Sequence, residues 1–548
     1  MGKYEDSSKL ASYPIKDFSK GYNSYSSSKT LVKDEEIPWG KNVWLDDNGS
    51  VTKRTGSEKF GGEIVAGKAP KNGTQFRTTS VNELVVACGT LWKKKNGSSW
   101  DTISGLTFTD DKDWDFCQTV GTTEGTSRLY GANGTDKLAY YNGSTLTEQT
   151  ANGNVGSQVV AFNGRLYMNN STYPDRIYFS NPWNYDAATA AFTISNFGTF
   201  NTDLTASPKK NAGYITLDPG SGLRIKKLKV YSSSGANADS LYVFTDRNLW
   251  KIVPGAIETA GTLPHSIQVI VDGKGTPAPK SVVQVGNDVK FYDYDNIYSL
   301  GEQAQYQNIR LSTLSGRIKS EIDGVATAGK DNVAMGFFKD RLWFAYQVGT
   351  FNDRVEIWDS RLNAWSCPFE GLNIGWFLDF VETDGSHRWL GGSSDPSDSF
   401  VYELNTGTSD DSTAISAEFE TKSLDCGMPG LIKRIAFIDV FYGMLYGALS
   451  YQVFIEEVEK VTSAVQIGTS TTVPSGMGTQ ITGTFPIGQE YDSATTYPDL
   501  KQNSKFRIDC NYEPGTRVSV RFTNNVTGEQ FKINKVIVWF LPGDIHEQ

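Results

Sequence analysis

The chain has 548 residues, more than one compact core supports, so we expect two or three domains. Its 54 glycines and 12% aromatic residues are typical of a large β protein with many turns. The net charge of -10, with no basic run beyond the three lysines at 93–95, argues against tight wrapping of nucleic acid through its phosphates. This charge is compatible with an acidic surface along which DNA moves without binding.

The cysteines bear on disulfide and metal sites, and the N-terminus bears on secretion and membrane insertion. The five cysteines are odd in number, widely scattered and without CxxC or metal-ligand spacing, which predicts buried thiols. They are Cys88, Cys117, Cys367, Cys426 and Cys510. Residues 1–6 contain no apolar signal core, and no segment of the chain approaches a membrane span. We therefore expect synthesis in a cytoplasm and no membrane segment.

The first 60 residues form a polar N-terminal arm rich in Ser and Tyr, ending in a hairpin across Asn48-Gly49. Its aromatic residues suggest that it lies against its own propeller or against a neighbouring subunit. Asn-Gly pairs are strong hairpin signals, because type I′ turns need positive φ at both central positions. Seven of them occur in the first 165 residues, at Asn48, Asn72, Asn96, Asn133, Asn142, Asn152 and Asn163.

Residues 61–410 hold repeated aromatic units, of which 337–369 is the clearest. From Leu342 to Tyr346 both alternating faces of a strand are apolar, so we expect this strand to be covered on both sides. Trp358-Asp359 is followed by a turn and by Trp365, which resembles the end of a kelch-type propeller blade. Looser echoes of this unit occur at 83–100, 127–141, 164–183, 239–252, 288–300 and 388–404.

These units predict an all-β chain with a degenerate β-propeller, while a sandwich with many hairpins remains the alternative. A long stretch at 184–219 lacks periodicity, and a loop of that length is usually functional or part of an interface. Residues 310–322 are the best short-helix candidate, with Ser312 as its N-cap.

Residues 411–548 predict a C-terminal antiparallel β-sandwich, because long alternating runs follow a wholly polar boundary at 406–412. An insertion near 462–497, rich in Ser, Thr, Gly and Pro, is expected to be an exposed loop or interface arm. The alternating runs are 415–421, 432–442, 450–457, 505–510, 517–523 and 532–540.

No catalytic, cofactor-binding or metal-binding residue is predicted. We expect each of the three histidines, His265, His387 and His546, to lie at the surface, and no Gly-x-Ser-x-Gly elbow accompanies them. Asp46-Asp47-Asn48-Gly49 is similar to half of a calcium loop, but a hairpin turn explains it better. The chain is therefore expected to be no enzyme and to need no cofactor.

The opening of the chain resembles the start of many nozzle or hub proteins of short-tailed bacteriophages. The matching residues are Lys20-Gly21, Pro38, Asn42-Val43, Gly49 and Lys53-Arg54-Thr55-Gly56. Residues 223–252 look like the central unit of those propellers, and 415–425 followed by Lys433-Arg434 is similar to the start of their C-terminal β domain. These patches cover well under half of the chain, and none of their residues is catalytic in the family.

The resemblance implies a virion structural protein of the tail, built as a cyclic homo-oligomer that is expected to be a hexamer. Its partners would be a portal-side tail adaptor and tail fibres or spikes, and DNA would pass without specific binding. Two alternatives stay open at this stage. One is a receptor- or glycan-binding propeller at a tail tip, and the other is a polysaccharide-degrading enzyme with a carboxylate pair in a pocket.

Overall fold

The computed structural model describes residues 10–25, 29–119, 127–149, 155–180, 184–186, 191–193, 212–231, 240–254, 265–303, 308–467 and 504–543. The N-terminal arm is not a separate element, because its short strands pair with other parts of the chain. They are β1 Ala11–Ile15, β2 Gly21–Tyr22, β3 Glu36–Ile37, β4 Trp39–Lys41, β5 Val43–Leu45, β6 Val51–Lys53 and β7 Ser57–Lys59.

The middle of the chain forms successive four-stranded antiparallel sheets, and each begins with its innermost strand. Blade 1 has β8 Pro70–Arg77, β9 Asn82–Cys88, β10 Leu91–Asn96 and β11 Ser99–Thr102. Blade 2 has β12 Asp115–Thr119, β13 Arg128–Ala132, β14 Ala139–Tyr141 and β15 Leu146–Glu148. Blade 3 has β16 Val159–Phe162, β17 Arg165–Asn169, β18 Arg176–Phe179 and, after the pair β19 Asn184–Asp186 and β20 Ala191–Thr193, β21 Gly213–Thr216.

Two further blades repeat this order. Blade 4 has β22 Ile225–Tyr231, β23 Ser240–Thr245, β24 Leu249–Pro254 and β25 His265–Val271. Blade 5 follows a 3-10 turn at Pro279–Ser281 and has β26 Val283–Val285, β27 Asp288–Tyr292, β28 Ile297–Gln303 and β29 Asn308–Thr313. Short helical turns then lead to the next blade, namely Gly316–Ile318, helix α1 Lys319–Asp323 and Thr327–Asn332.

Blade 6 has β30 Ala334–Phe338, β31 Arg341–Tyr346, β32 Arg354–Asp359, β33 Ala364–Trp365 and β34 Phe369–Glu370. Blade 7 has β35 Ile374–Val381, β36 His387–Ser393 and β37 Val401–Leu404, followed by β38 Ser409–Asp410 and β39 Thr413–Ala414. Its fourth strand is β7, which comes from the N-terminal segment and pairs antiparallel with β37. The N-terminal segment therefore completes the last blade.

Hydrophobic interfaces connect each blade to the next, so the seven blades in the described part of the chain form a ring. The interface between blades 7 and 1 joins Trp376 and Leu390 to Leu84 and Val86. Gly73 in β8 permits this approach, because a Cβ there would lie 2.3 Å from the Trp376 ring. Each consecutive pair of blades from 1 to 5 shares a cluster of the same kind, as do blades 6 and 7. The cluster between blades 5 and 6 also extends into the C-terminal sheets.

The C-terminal strands form two sheets around one core. They are β40 Ala417–Glu420, β41 Lys433–Ile455, β42 Val458–Ile467, β43 Ser504–Gly515, β44 Val518–Asn524 and β45 Gln530–Pro542. The first half of β41 pairs with β43 and β45, while its second half pairs with β42 and β44, so one strand of 23 residues passes from one sheet to the other. Strands β1 and β6 add to the first sheet and β4 adds to the second.

The predicted fold class is confirmed: the chain is all-β, with a β-propeller, an N-terminal segment and a C-terminal antiparallel sandwich. Each of the seven aromatic units recognised in the sequence falls in a different blade. Leu342 to Tyr346 in β31 are all buried, as expected for a strand covered on both sides. Four of the five cysteines are buried free thiols, and Cys117 is half-buried.

Several local predictions were wrong. The runs 432–442 and 450–457, expected as two strands, fall almost entirely in the single strand β41, which spans Lys433–Ile455. The helix expected over 310–322 begins only at Lys319, because the residues up to Thr313 pair in β29, and Ser312 is no N-cap. Asn72-Gly73 lies inside β8, where glycine serves packing and not a turn. The expected arms at 184–219 and 462–497 lie largely outside the described residues, apart from β19, β20, β21 and the end of β42.

Candidate functional site at the junction of propeller and sandwich

The chain crosses from the sandwich to the propeller between β6 and β7, at Lys53-Arg54-Thr55-Gly56. Lys53 ends a strand of the sandwich, and Ser57 begins the strand that completes blade 7. The side chains of Lys53 and Arg54 are both about 1% exposed, which is rare for charged residues. We call this crossing, residues 53–56, the junction.

All five N–H donors of the Arg54 guanidinium are used at the junction. Its Nε donates to Asn42 Oδ1 at 2.9 Å, and its Nη1 donates to the Thr55 carbonyl at 3.0 Å and to Asp410 Oδ1 at 2.9 Å. Its Nη2 donates to the Glu370 carbonyl at 3.0 Å and to the second oxygen of Asp410. The bidentate pair with Asp410, together with an acceptor for every other N–H group, compensates for the hydration that the guanidinium loses on burial.

Two neighbours of Arg54 complete this arrangement. Asn42 has a positive φ of 54°, and its amide also donates to the Ser416 carbonyl at 2.8 Å, so it connects the junction to the start of the sandwich. Gly56 lies so close to blade 7 that a Cβ there would be 1.9 Å from the Ser409 carbonyl oxygen. A glycine is therefore required at this position for steric reasons.

Lys53 points in the opposite direction, into the sandwich. Its Nζ donates to Asn524 Oδ1 at 2.7 Å and to the Val526 carbonyl at 2.9 Å. Burial lowers the pKa of Lys53 to about 8, although the nearby carboxylate of Glu529 acts in the opposite direction. The neutral form of this amine is therefore more accessible than that of an exposed lysine.

A second polar cluster lies where the N-terminal segment meets blade 6 and α1. The Tyr22 hydroxyl donates to Glu321 Oε1 at 2.8 Å, and the Tyr346 hydroxyl lies 3.3 Å from Glu321 Oε2 and 3.4 Å from Glu356 Oε1. Burial and the neighbouring Glu321 raise the pKa of Glu356 well above its ordinary value. Glu356 is fully buried, so this carboxylate pair offers no surface to a polysaccharide, and its arrangement fits a structural contact.

The axis of the propeller is crossed by ion pairs. Lys280, which precedes β26 of blade 5, donates from Nζ to the Lys71 carbonyl of blade 1 at 2.8 Å and to Asp113 Oδ1 at 2.7 Å. Lys227 of blade 4 forms an ion pair with Asp115 of blade 2 at 2.5 Å. These ion pairs therefore join blades that are not neighbours in the ring.

The histidines do not form a catalytic group among the described residues. His387 is exposed, and its Nδ1 lies 2.9 Å from both carboxylate oxygens of Asp379. His265, expected at the surface, is half-buried on β25: its ring packs on Phe179, and its Nε2 lies 3.0 Å from the Tyr167 hydroxyl. Burial and nearby Arg165 lower the pKa of His265 to about 4. His546 lies outside the described residues.

The other motifs considered in the sequence have structural explanations. Asp46 Oδ1 accepts from the backbone amides of Asn48 and Ser50, so the acidic loop is the turn between β5 and β6. Within the described ranges, no group of three or more His, Cys, Asp or Glu residues is arranged to hold a metal ion. No helix in the same part of the chain is long and apolar enough to cross a membrane.

Sequence reasoning missed the distant partners of the junction. Asp410, Asn524 and Glu529 stand in polar loops or at strand ends, and their spacing from Lys53-Arg54 has no local signature. The signal that pointed to the junction was the run Lys53-Arg54-Thr55-Gly56 itself. Gly21 and Gly49, from the same set of matched residues, have positive φ values of 69° and 75°.

No protein-family model and no curated protein matches this chain. Solved structures with some likeness include BBS1N in complex with ARL6DN, at 11% identity over 64% of this chain and 97% of that chain, with a TM-score of 0.38. Saccharomyces cerevisiae Sqt1 has 11% identity over 67% of this chain and 100% of its own, with a TM-score of 0.34. The extracellular domain of BT4673 from B. thetaiotaomicron has 9% identity over 79% of this chain and 58% of its own, at 0.38. Scores this low carry no functional argument.

Proposed function

We propose that this chain is a structural protein of a short phage tail, forming a ring-shaped nozzle or hub through which DNA leaves the virion. In this role the protein catalyses no reaction. It would act as an identical wedge repeated around a closed ring, expected to contain six copies. A portal-side adaptor would bind on one side, and fibres or spikes would attach outside.

The observation that carries the proposal is the position of the residues on which the family resemblance rests. Lys53-Arg54-Thr55-Gly56 forms the junction, and Asn42 accepts from Arg54 Nε there. Each has a specific structural requirement there, such as the Gly56 contact with Ser409. Arg54 and Asn42, 12 residues apart in the sequence, are in direct contact there, as expected if the matched residues serve one structural purpose.

In this proposal, DNA would not pass through the propeller of a single copy. Lys280 and Lys227 bridge the propeller's own axis through Asp113 and Asp115, so that channel is unsuited to a duplex. The passage would instead be the space enclosed by several copies. The net charge of -10 would disfavour adhesion of phosphates to its wall.

Native mass spectrometry of the purified chain, alone and after mixing with tail extract of its virus, tests this function. The expected result is one discrete ring, formed either by the chain alone or on the tail adaptor. A chain that stays monomeric with tail extract and binds a host glycan would overturn the proposal in favour of a recognition module. Measurable polysaccharide turnover by the monomer would overturn it in favour of an enzyme.

A further inference from the structure

Lys53 is a buried amine that donates to two neutral groups. They are the side-chain oxygen of Asn524 and the carbonyl of Val526. Lys433 offers a comparison, since it is equally buried but donates to three backbone carbonyls, those of Met428, Leu431 and Thr516. What distinguishes Lys53 is direct contact with a carboxamide.

Asn524 is held between that amine and a carboxylate. Its side chain is buried, with 4% of the residue exposed, and its Oδ1 accepts from Lys53 Nζ. Its Nδ2 donates to Glu529 Oε2 at 2.7 Å and to the Ala448 carbonyl at 2.8 Å. A nucleophile, an amide carbon and a proton-transfer group are therefore adjacent in a site that excludes most water.

We propose that Lys53 and Asn524 join in an intramolecular isopeptide bond, with Glu529 transferring the proton that the reaction requires. The neutral Nζ of Lys53 attacks Cγ of Asn524, and the Cγ–Nζ bond forms while the Cγ–Nδ2 bond breaks. One proton leaves Nζ and reaches Nδ2 through the Glu529 carboxylate, so that Nδ2 departs as ammonia. No oxidant, cofactor or second substrate is consumed.

The surroundings favour each part of this reaction. Burial of Lys53, which lowers its pKa to about 8, supplies the unprotonated amine that attack on an amide carbon needs. Because Oδ1 of Asn524 accepts from Nζ, the carbonyl carbon lies just beyond that oxygen, within a short shift of the nitrogen. Glu529 Oε2 is anchored by the Ala448 N–H at 3.1 Å, which orients it toward Nδ2.

The bond would connect the N-terminal segment covalently to the C-terminal sheets. Lys53 ends β6 and Asn524 ends β44, and the sequence between them contains the whole propeller. Separation of the sandwich strand β6 from the rest of the sandwich would then require breaking a covalent bond. The inference does not depend on the tail function, because a monomer with another role would form the same bond.

Peptide mapping of the denatured, trypsin-digested chain tests the bond. Acylated Lys53 resists trypsin, so the expected product is a branched peptide of residues 42–54 joined to 522–532, about 17 Da lighter than the sum of its parts. A succinimide at Asn48-Gly49 would lose the same mass, but it would stay within one linear peptide. Separate linear peptides, with cleavage after Lys53 in the folded wild-type chain, would overturn the proposal.

Three variants separate the chemistry from folding. Lys53→Met should abolish the branched peptide, whereas Lys433→Met, at the other buried lysine, should retain it. Glu529→Gln keeps the size of the side chain and should slow bond formation at least about a hundredfold, the usual contribution of a positioned proton-transfer group. If Glu529→Gln folds and forms the branched peptide as fast as the wild type, the role assigned to Glu529 is overturned.

Discussion

Arg54 and Asp410 are 356 residues apart in the sequence, yet both carboxylate oxygens of Asp410 accept from the terminal nitrogens of Arg54. Asp410 is in β38, which also pairs in parallel with β7 at Ser57. The ion pair and the strand pairing therefore act at one place, where the chain leaves the sandwich and completes the last blade. This relationship explains why the propeller and the sandwich share the N-terminal segment.

Replacing Arg54 by lysine tests how much the bidentate pair with Asp410 contributes to stability. Arg54→Lys keeps the charge, but it leaves several of the acceptors, such as the Glu370 carbonyl, without a donor. We expect the free energy of unfolding to fall by about 2–3 kcal/mol in chemical denaturation. Arg388→Lys is the control, because Arg388 pairs with Glu382 and Glu403 at a partly exposed site and should change stability by less than about 1 kcal/mol. Equal losses in the two variants would contradict the importance of the junction.

Gly56 allows a steric test of the junction. In Gly56→Ala the new Cβ would lie 1.9 Å from the Ser409 carbonyl oxygen, so β7 and β38 must move apart. We expect a loss of about 3 kcal/mol, at the upper end of the cost of overpacking. Gly316→Ala is the matched control, because a Cβ there meets nothing within 4 Å. Its unfolding free energy should change by less than about 1 kcal/mol. A tolerated Gly56→Ala would show that the two strands are not held this closely.

The ion pair across the propeller axis predicts a specific double-mutant result. Lys227→Met leaves the buried Asp115 carboxylate without its charge partner, and we expect a loss of about 3 kcal/mol. Asp115 Oδ2 also accepts from the Val159 N–H at 3.0 Å, and an asparagine at 115 can keep that bond. The double variant Lys227→Met with Asp115→Asn should therefore be more stable than Lys227→Met alone. A double variant less stable than the single one would contradict this account of the channel.

The sequence predicted the blades well because the periodic pattern of each strand is local. The aromatic unit of blade 6, for example, contains its strands, its Asp359 turn and Trp365 within about thirty residues, and alternation of side chains shows which faces are covered. The junction could not be predicted in the same way. Arg54 and Lys53 depend on Asp410 and Asn524, and nothing near 54 in the sequence indicates which distant acceptors will be present.

The long strand β41 shows a second limit of local reasoning. Gly443 interrupts the alternation between its two halves, and a glycine between two apolar runs normally predicts a turn. The chain instead continues with bulges near Phe441 and Tyr442 and changes its pairing partners from one sheet to the other. Pairing with β45 decides the outcome, since it resumes beyond the glycine from Met444 to Tyr446.

Buried Glu356 predicts a pH dependence of stability. Burial and Glu321 raise its pKa in the folded chain above the ordinary 4.5, so the folded state keeps a proton that the unfolded state releases. Its contribution is therefore fully present below pH 4.5 and is lost as the pH rises toward the folded pKa, at about 1.4 kcal/mol per pH unit. Glu356→Gln cannot release a proton, so its stability advantage over the wild type should increase between pH 5 and 7, measured by urea denaturation at constant ionic strength. Glu457→Gln, in the exposed turn after β41, should follow the wild-type pH profile. If Glu356→Gln also follows that profile, the carboxyl group is ionised in the folded protein and the buried cluster has a different protonation state.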